Sequence, residues 1–152
     1  NNVEYIRKWA EAISAQSPES LQAYSDRYRA WVETQVAIAR VLRNDPEAHA
    51  AVLELTVRDA RISPRAGPIW QRLESSADDV INKLKGEPQE KIDRIRRYRG
   101  MATVGKISQS LEVTPEDRAR AKEDLQAALA VRPDDAMAAA NLADLLRLNA
   151  VK

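Results

Sequence analysis

Seven prolines cut the 152-residue chain into segments, and each stands where a helix can begin or a helix must stop. Ser17-Pro18-Glu19, Asp45-Pro46-Glu47 and Thr114-Pro115-Glu116 share one grammar. A side-chain oxygen caps the orphan amides, proline takes the first helical position, and an acid meets the positive helix end. Ser63-Pro64, Gly67-Pro68, Glu87-Pro88 and Arg132-Pro133-Asp134-Asp135 mark the same break less completely. Reading between the breaks predicts about seven helices, at roughly 3–15, 18–43, 46–61, 68–85, 88–111, 115–131 and 135–149. No segment alternates apolar and polar residues between turn signals, so no sheet is expected and the chain reads as all-α.

Composition agrees with helices and narrows the chemistry. Only 4 residues are Gly and none is Phe, while apolar residues make up 44% and charged residues 31%. With no Cys, the chain has no disulfide, no thiol nucleophile and no thiolate metal site. That absence is compatible with cytoplasm or periplasm, with the cytoplasm favoured. One His cannot build a multi-histidine zinc site. Lys and Arg total 24 against 23 Asp and Glu, so no global field drives the chain onto nucleic acid or acidic lipid. No apolar run approaches the ~18 residues of a membrane span. No cofactor is implied.

The longest predicted segment carries Leu21, Tyr24, Tyr28, Trp31, Gln35, Ile38 and Leu42 on one stripe, with Val32, Val36 and Ala39 beside it. Two adjoining apolar stripes call for two neighbours, which makes this helix the expected spine. Gln35 within the stripe is a half-exposed position or a register-fixing polar group. Trp9, Trp31 and Trp70 each fall in an amphipathic stretch and read as buried anchors. Gly100-Met101-Ala102-Thr103-Val104-Gly105 is the expected kink or break of the fifth segment, because two glycines weaken a helix by about 1 kcal/mol each.

Near the C-terminus the spacing is more specific. Ala121, Leu125, Ala128 and Pro133 run small, large, small, proline; Ala139, Leu142, Ala143 and Leu146 follow. Ala128 and Ala143 would let two helices approach, and Leu125, Leu142 and Leu146 would fill the groove between them. This stretch resembles the second helix of one tetratricopeptide repeat and the first helix of the next. It departs from that family where Thr114-Pro115 starts a helix inside the expected earlier one, and where Ala139 replaces a large residue. The organisation expected is a single all-α domain of antiparallel helices, with 1–112 a helical bundle part and 113–152 a tetratricopeptide-like hairpin. An α-solenoid and a compact bundle both fit the rhythm of helix starts.

Candidate chemistry is sparse. His49 in Glu47-Ala48-His49 lacks the second His of a zincin and reads as a surface or cap-proximal residue. Gly100, Gly105 and Lys106 have the spacing of a phosphate-binding loop, but Ile107 stands where Ser or Thr must hold magnesium. Asp78-Asp79, Glu123-Asp124 and Asp134-Asp135 are adjacent acids, and neighbours on a helix diverge by about 100° rather than facing one another. Asp134 and Asp135 sit at a helix start, where capping accounts for them.

The strongest charge feature is the segment 83–106, with Lys83, Lys85, Lys91, Arg94, Arg96, Arg97, Arg99 and Lys106 countered by Glu87, Glu90 and Asp93. Arg94, Arg97 and Tyr98 can share a face with Lys91, and this face can meet phosphates, an acidic protein surface, or acids elsewhere in the chain. Leu145, Leu146 and Leu148 form an apolar end with no predicted helix after them. The function expected is therefore non-enzymatic: a scaffold or adaptor binding another protein or peptide through a helical groove, with self-association through the last leucines. The resemblance implies recognition along a concave helix face. The alternative is a nucleic-acid-associated helical protein using residues 83–106.

Overall fold

The computed structural model describes Lys8 and residues 21–150. Among these residues the chain is all-α, with six helices and no strand. They are α1 (Leu21–Val41), α2 (Pro46–Ile62), α3 (Gly67–Lys83), α4 (Gln89–Ser108), α5 (Pro115–Val131) and α6 (Ala136–Ala150). The predicted first helix, Trp9 and the Ser17-Pro18 cap lie outside the described residues, as does the side chain of Trp31.

The full proline grammar holds at the starts of α2 and α5, whereas α3 and α4 begin at Ala66-Gly67-Pro68 and Pro88 with no side-chain cap. Asp45 Oδ1 accepts the Glu47 amide at 3.0 Å, and Thr114 Oγ1 accepts the Asp117 amide at 3.1 Å. Asp135 Oδ1 accepts the Ala138 amide at 3.0 Å, and Ser63 Oγ takes the Arg65 amide at 3.2 Å in the turn before α3. Each bond satisfies an amide that has no partner of its own at the turn or helix start.

The chain forms two compact units, Asn1–Leu55 and Thr56–Lys152, divided within α2. In the first, Thr34, Ile38, Ala48, Leu53 and Leu55 are buried, and Gln35 is half-buried. Thr34 satisfies its hydroxyl by donating to the Ala30 carbonyl at 2.7 Å. His49 is also buried rather than on the surface, and its Nε2 lies 2.7 Å from the Arg43 carbonyl. A carbonyl only accepts, so Nε2 carries the proton and the ring ties the α1–α2 turn to α2.

In the second unit α4 is the central helix, packed against α3, α5 and α6. Every residue from Gly100 to Lys106 is buried. A helix buried over consecutive positions has no solvent face, so it must be narrow. The two glycines supply that narrowness. A Cβ at Gly100 would stand 2.7 Å from Leu125 Cγ and 3.1 Å from the Ala121 carbonyl of α5. A Cβ at Gly105 would overlap the indole of Trp70 on α3. Five positions apart, the glycines point about 140° from each other around α4, one toward each neighbour. The expected break at 100–105 is thus corrected: α4 runs unbroken to Ser108, because the glycines are seats for packing and the packing outweighs their helix cost.

α4 stops about one turn after its second glycine by a Schellman closure. Leu111 donates to the Lys106 carbonyl at 3.0 Å and Ser110 to the Ile107 carbonyl at 3.0 Å. Ser110 takes the left-handed conformation, φ 58°, that glycine usually fills. Leu111 then lands beside Gly67 at the start of α3.

The C-terminal hairpin has a different register from the one its spacing suggests. Ala121, Leu125 and Ala128 of α5 are buried as expected. On α6 the buried residues are Ala138 and Leu145, with Asn141, Leu142 and Leu148 half-buried. Ala139, Ala143 and Leu146 are exposed. The inward stripe is turned by about one position, or 100°. Asp135, which binds Arg97 of α4, lies on the same face as positions 138, 142 and 145, so the ion pair and the buried stripe share one register.

Candidate functional site

The basic face of α4 is largely spent on carboxylates of its neighbours. Asp124 of α5 has no exposed surface. It accepts three guanidinium bonds: Arg96 Nε to Oδ1 at 2.8 Å, Arg99 Nε to Oδ2 at 2.8 Å, and Arg99 Nη2 to Oδ1 at 2.9 Å. Arg99 Nη1 continues to Asp78 of α3 at 2.7 Å, and Arg96 Nη1 to Asp93 at 3.3 Å. One arginine therefore spans α3, α4 and α5. Hydrogen bonding to the Asp124 carboxylate pushes the Arg99 pKa above its ordinary value, against the opposing effect of burial, so the guanidinium is a fixed charge.

At the other end of the helix Lys106 Nζ reaches both oxygens of Glu74 of α3 at 3.4 and 3.3 Å, and the Thr103 hydroxyl donates to Glu74 Oε2 at 3.4 Å. Arg120 of α5 approaches the same carboxylate at 3.8 Å. The apparent phosphate-loop spacing is thus a helical stretch whose lysine serves an internal ion pair. Lys91 pairs with Glu87 at 4.0 Å.

Arg97 points toward α6. Its Nη1 donates to Asp135 Oδ2 at 2.6 Å and its Nη2 to the Tyr98 hydroxyl at 3.0 Å, and the guanidinium lies 4.7 Å from the Tyr98 ring centre. Burial alone would raise the Asp135 pKa, but the Ala138 amide and the Arg97 guanidinium together hold it below the usual carboxylate range.

The candidate residues range from core to exposed. Tyr98 and Leu145 are core residues, 4% and 0% exposed, and offer no surface to a partner; here the sequence expectation is corrected. Their helical phases point inward, Tyr98 beside Ile95 and Met101 in the buried stripe, Leu145 seven positions after Ala138. Arg97 is a part-buried bridge between α4 and α6, and Arg94 and Leu148 are half-buried. Leu146 alone of the set is exposed, at 45%. It shares a face of α6 with Ala139, Ala143 and Ala150, also exposed. The acids that organise the arginines were visible as Asp78, Asp124 and Asp135 but not assignable, since their partners lie 21 to 38 residues away.

Among the described residues no three His, Cys, Asp or Glu side chains are grouped to hold a metal ion, and no helix is long and apolar enough to cross a membrane. Comparison with known proteins finds no matching family model, no matching curated protein and no matching solved structure.

Proposed function

We propose that the chain is a non-enzymatic scaffold that binds another protein along its helical surface. The observation that carries this reading is the outer face of α6. Its inner side places Ala138 and Leu145 in the core, while Ala139, Ala143, Leu146 and Ala150 recur at spacings of 4, 3 and 4 on the exposed side. A helix apolar on two sides ordinarily lies between two neighbours. An amphipathic helix or a groove lined by large apolar side chains would complement this stripe, with the alanines permitting close approach. Asp144 and Arg147 flank it and would orient the partner.

The test is affinity capture by the intact chain, with mass spectrometry of what is retained at high salt, compared between the natural sequence and Ala143→Arg/Leu146→Asp. Proteins held by the first and lost from the second, with helicity and melting unchanged, support the reading. Equal retention by both defeats it. Sedimentation equilibrium of the two chains shows whether the bound protein is another copy.

A further inference from the structure

The geometry points to α6 as a helix that opens and closes as one unit on the α3–α5 core, with Asp135 as its latch. Three observations carry this. First, α6 is thinly anchored: only Ala138 and Leu145 are fully buried along its 15 residues, whereas α4 buries Ile95, Tyr98 and the whole run Gly100–Lys106. Local opening favours elements with few buried contacts.

Second, one carboxylate does two jobs. Asp135 Oδ1 caps the first turn through the Ala138 amide, and Oδ2 holds Arg97 on α4. Moving Asp135 away from α4 therefore loosens the docking and the helix start together. At the far end Arg118 Nη1 donates to Asn149 Oδ1 at 3.0 Å, an exposed bond to a neutral acceptor.

Third, the link from α5 to α6 is a short exposed turn closed by one backbone bond, the Asp135 amide to the Arg132 carbonyl at 3.1 Å, and the ties within the core do not run through it. Arg132, Pro133 and Asp134 are exposed, and Pro133 has no amide hydrogen bond to break. The bonds that fasten α5 to α4, from Arg96 and Arg99 to Asp124, involve no residue of α6. Opening α6 thus exchanges the Arg97–Asp135 bond and the contacts of Ala138 and Leu145 for water, while α3, α4 and α5 stay assembled. This inference does not depend on what binds the outer face of α6.

Native-state hydrogen exchange on the full chain tests it. The amides of Asn141–Leu148 should share one level of protection, about tenfold or more below that of Met101–Lys106. Asp135→Ala, which removes both cap and ion pair, should speed exchange across the whole α6 set by about tenfold and leave α4 within about twofold. Asp135→Asn keeps the cap acceptor, drops the charge, and should give a smaller acceleration. Equal protection in α6 and α4 would overturn the inference. So would protection that decays smoothly from Leu142 to Asn149, the mark of a fraying end, or an Asp135→Asn chain with α6 exchange unchanged.

Discussion

Arg99 grips Asp124 through two parallel bonds, Nε to Oδ2 at 2.8 Å and Nη2 to Oδ1 at 2.9 Å, and the carboxylate is wholly out of water. A pair in this setting adds little over apolar packing, but removing one partner strands the other. Asp124→Ala would leave Arg96 and Arg99 facing an empty buried site. It should lower the unfolding free energy by about 3 kcal/mol, the lower end of the buried-pair range because both arginines keep some exposure. Urea unfolding followed by circular dichroism measures this, and a loss under about 1 kcal/mol would show the pair to be replaceable.

Gly105 gives a second prediction. Alanine is the better helix former by about 1 kcal/mol, so a solvent-facing Gly→Ala change would stabilise. Here the added methyl would run into the Trp70 indole, which is itself nearly buried. Overpacking of that kind costs about 1–3 kcal/mol or more, and Gly105→Ala should be destabilising on balance. A shift in Trp70 fluorescence should accompany the lower melting temperature, and Gly105→Ala with Trp70→Leu should recover part of the loss.

Ser110 predicts the opposite sign. Its left-handed backbone closes α4, and a side chain costs roughly 1 kcal/mol there relative to glycine. Ser110→Gly should raise stability by about 0.5–1 kcal/mol, read as a higher urea midpoint with an unchanged slope.

Acid should weaken the α6 attachment through Asp135. Its pKa is lower folded than unfolded, so the folded chain binds that proton less tightly and stability rises with pH in the acid range. The contribution is complete above the ordinary Asp value of about 3.9 and is lost as pH falls through the depressed folded value. Plotting unfolding free energy against pH for the natural chain and for Asp135→Asn should give curves that stay apart above the ordinary Asp value of about 3.9 and draw together as pH falls from there through the depressed folded value. Parallel curves would show that Arg97 and the Ala138 amide do not act on this carboxyl.

How much of this could be read from the sequence depends on the range of the interaction. Helix starts were legible at Asp45-Pro46, Thr114-Pro115 and Asp135 because a cap binds an amide only two or three residues away. The end of α4, expected near 111, falls at Ser108, and its closure was not legible because Ser110 fills a position that sequence rules assign to glycine. Gly100 and Gly105 looked like a break because propensity is local, whereas the side chains that need their space come from α5 and α3. For the arginines of 83–106, pairing with acids elsewhere in the chain was one of the readings and is the one found, but which acids could not be named, because they lie on α3, α5 and the start of α6. A single residue of rotation separated the expected inner face of α6 from the real one, and the bond that accompanies the real register joins Arg97 to Asp135 across 38 positions.

The all-round burial of α4 also sets an order of events during synthesis, where a chain emerges from its N-terminus. Trp70 is made before Gly105, so the α3–α4 seat can be filled as soon as α4 leaves the ribosome. Gly100 and the side chains of Arg96 and Arg99 must wait for Leu125 and Asp124. Until α5 has emerged, the Gly100–Lys106 stretch of α4 keeps the side that Leu125 and Ala121 will cover open to water.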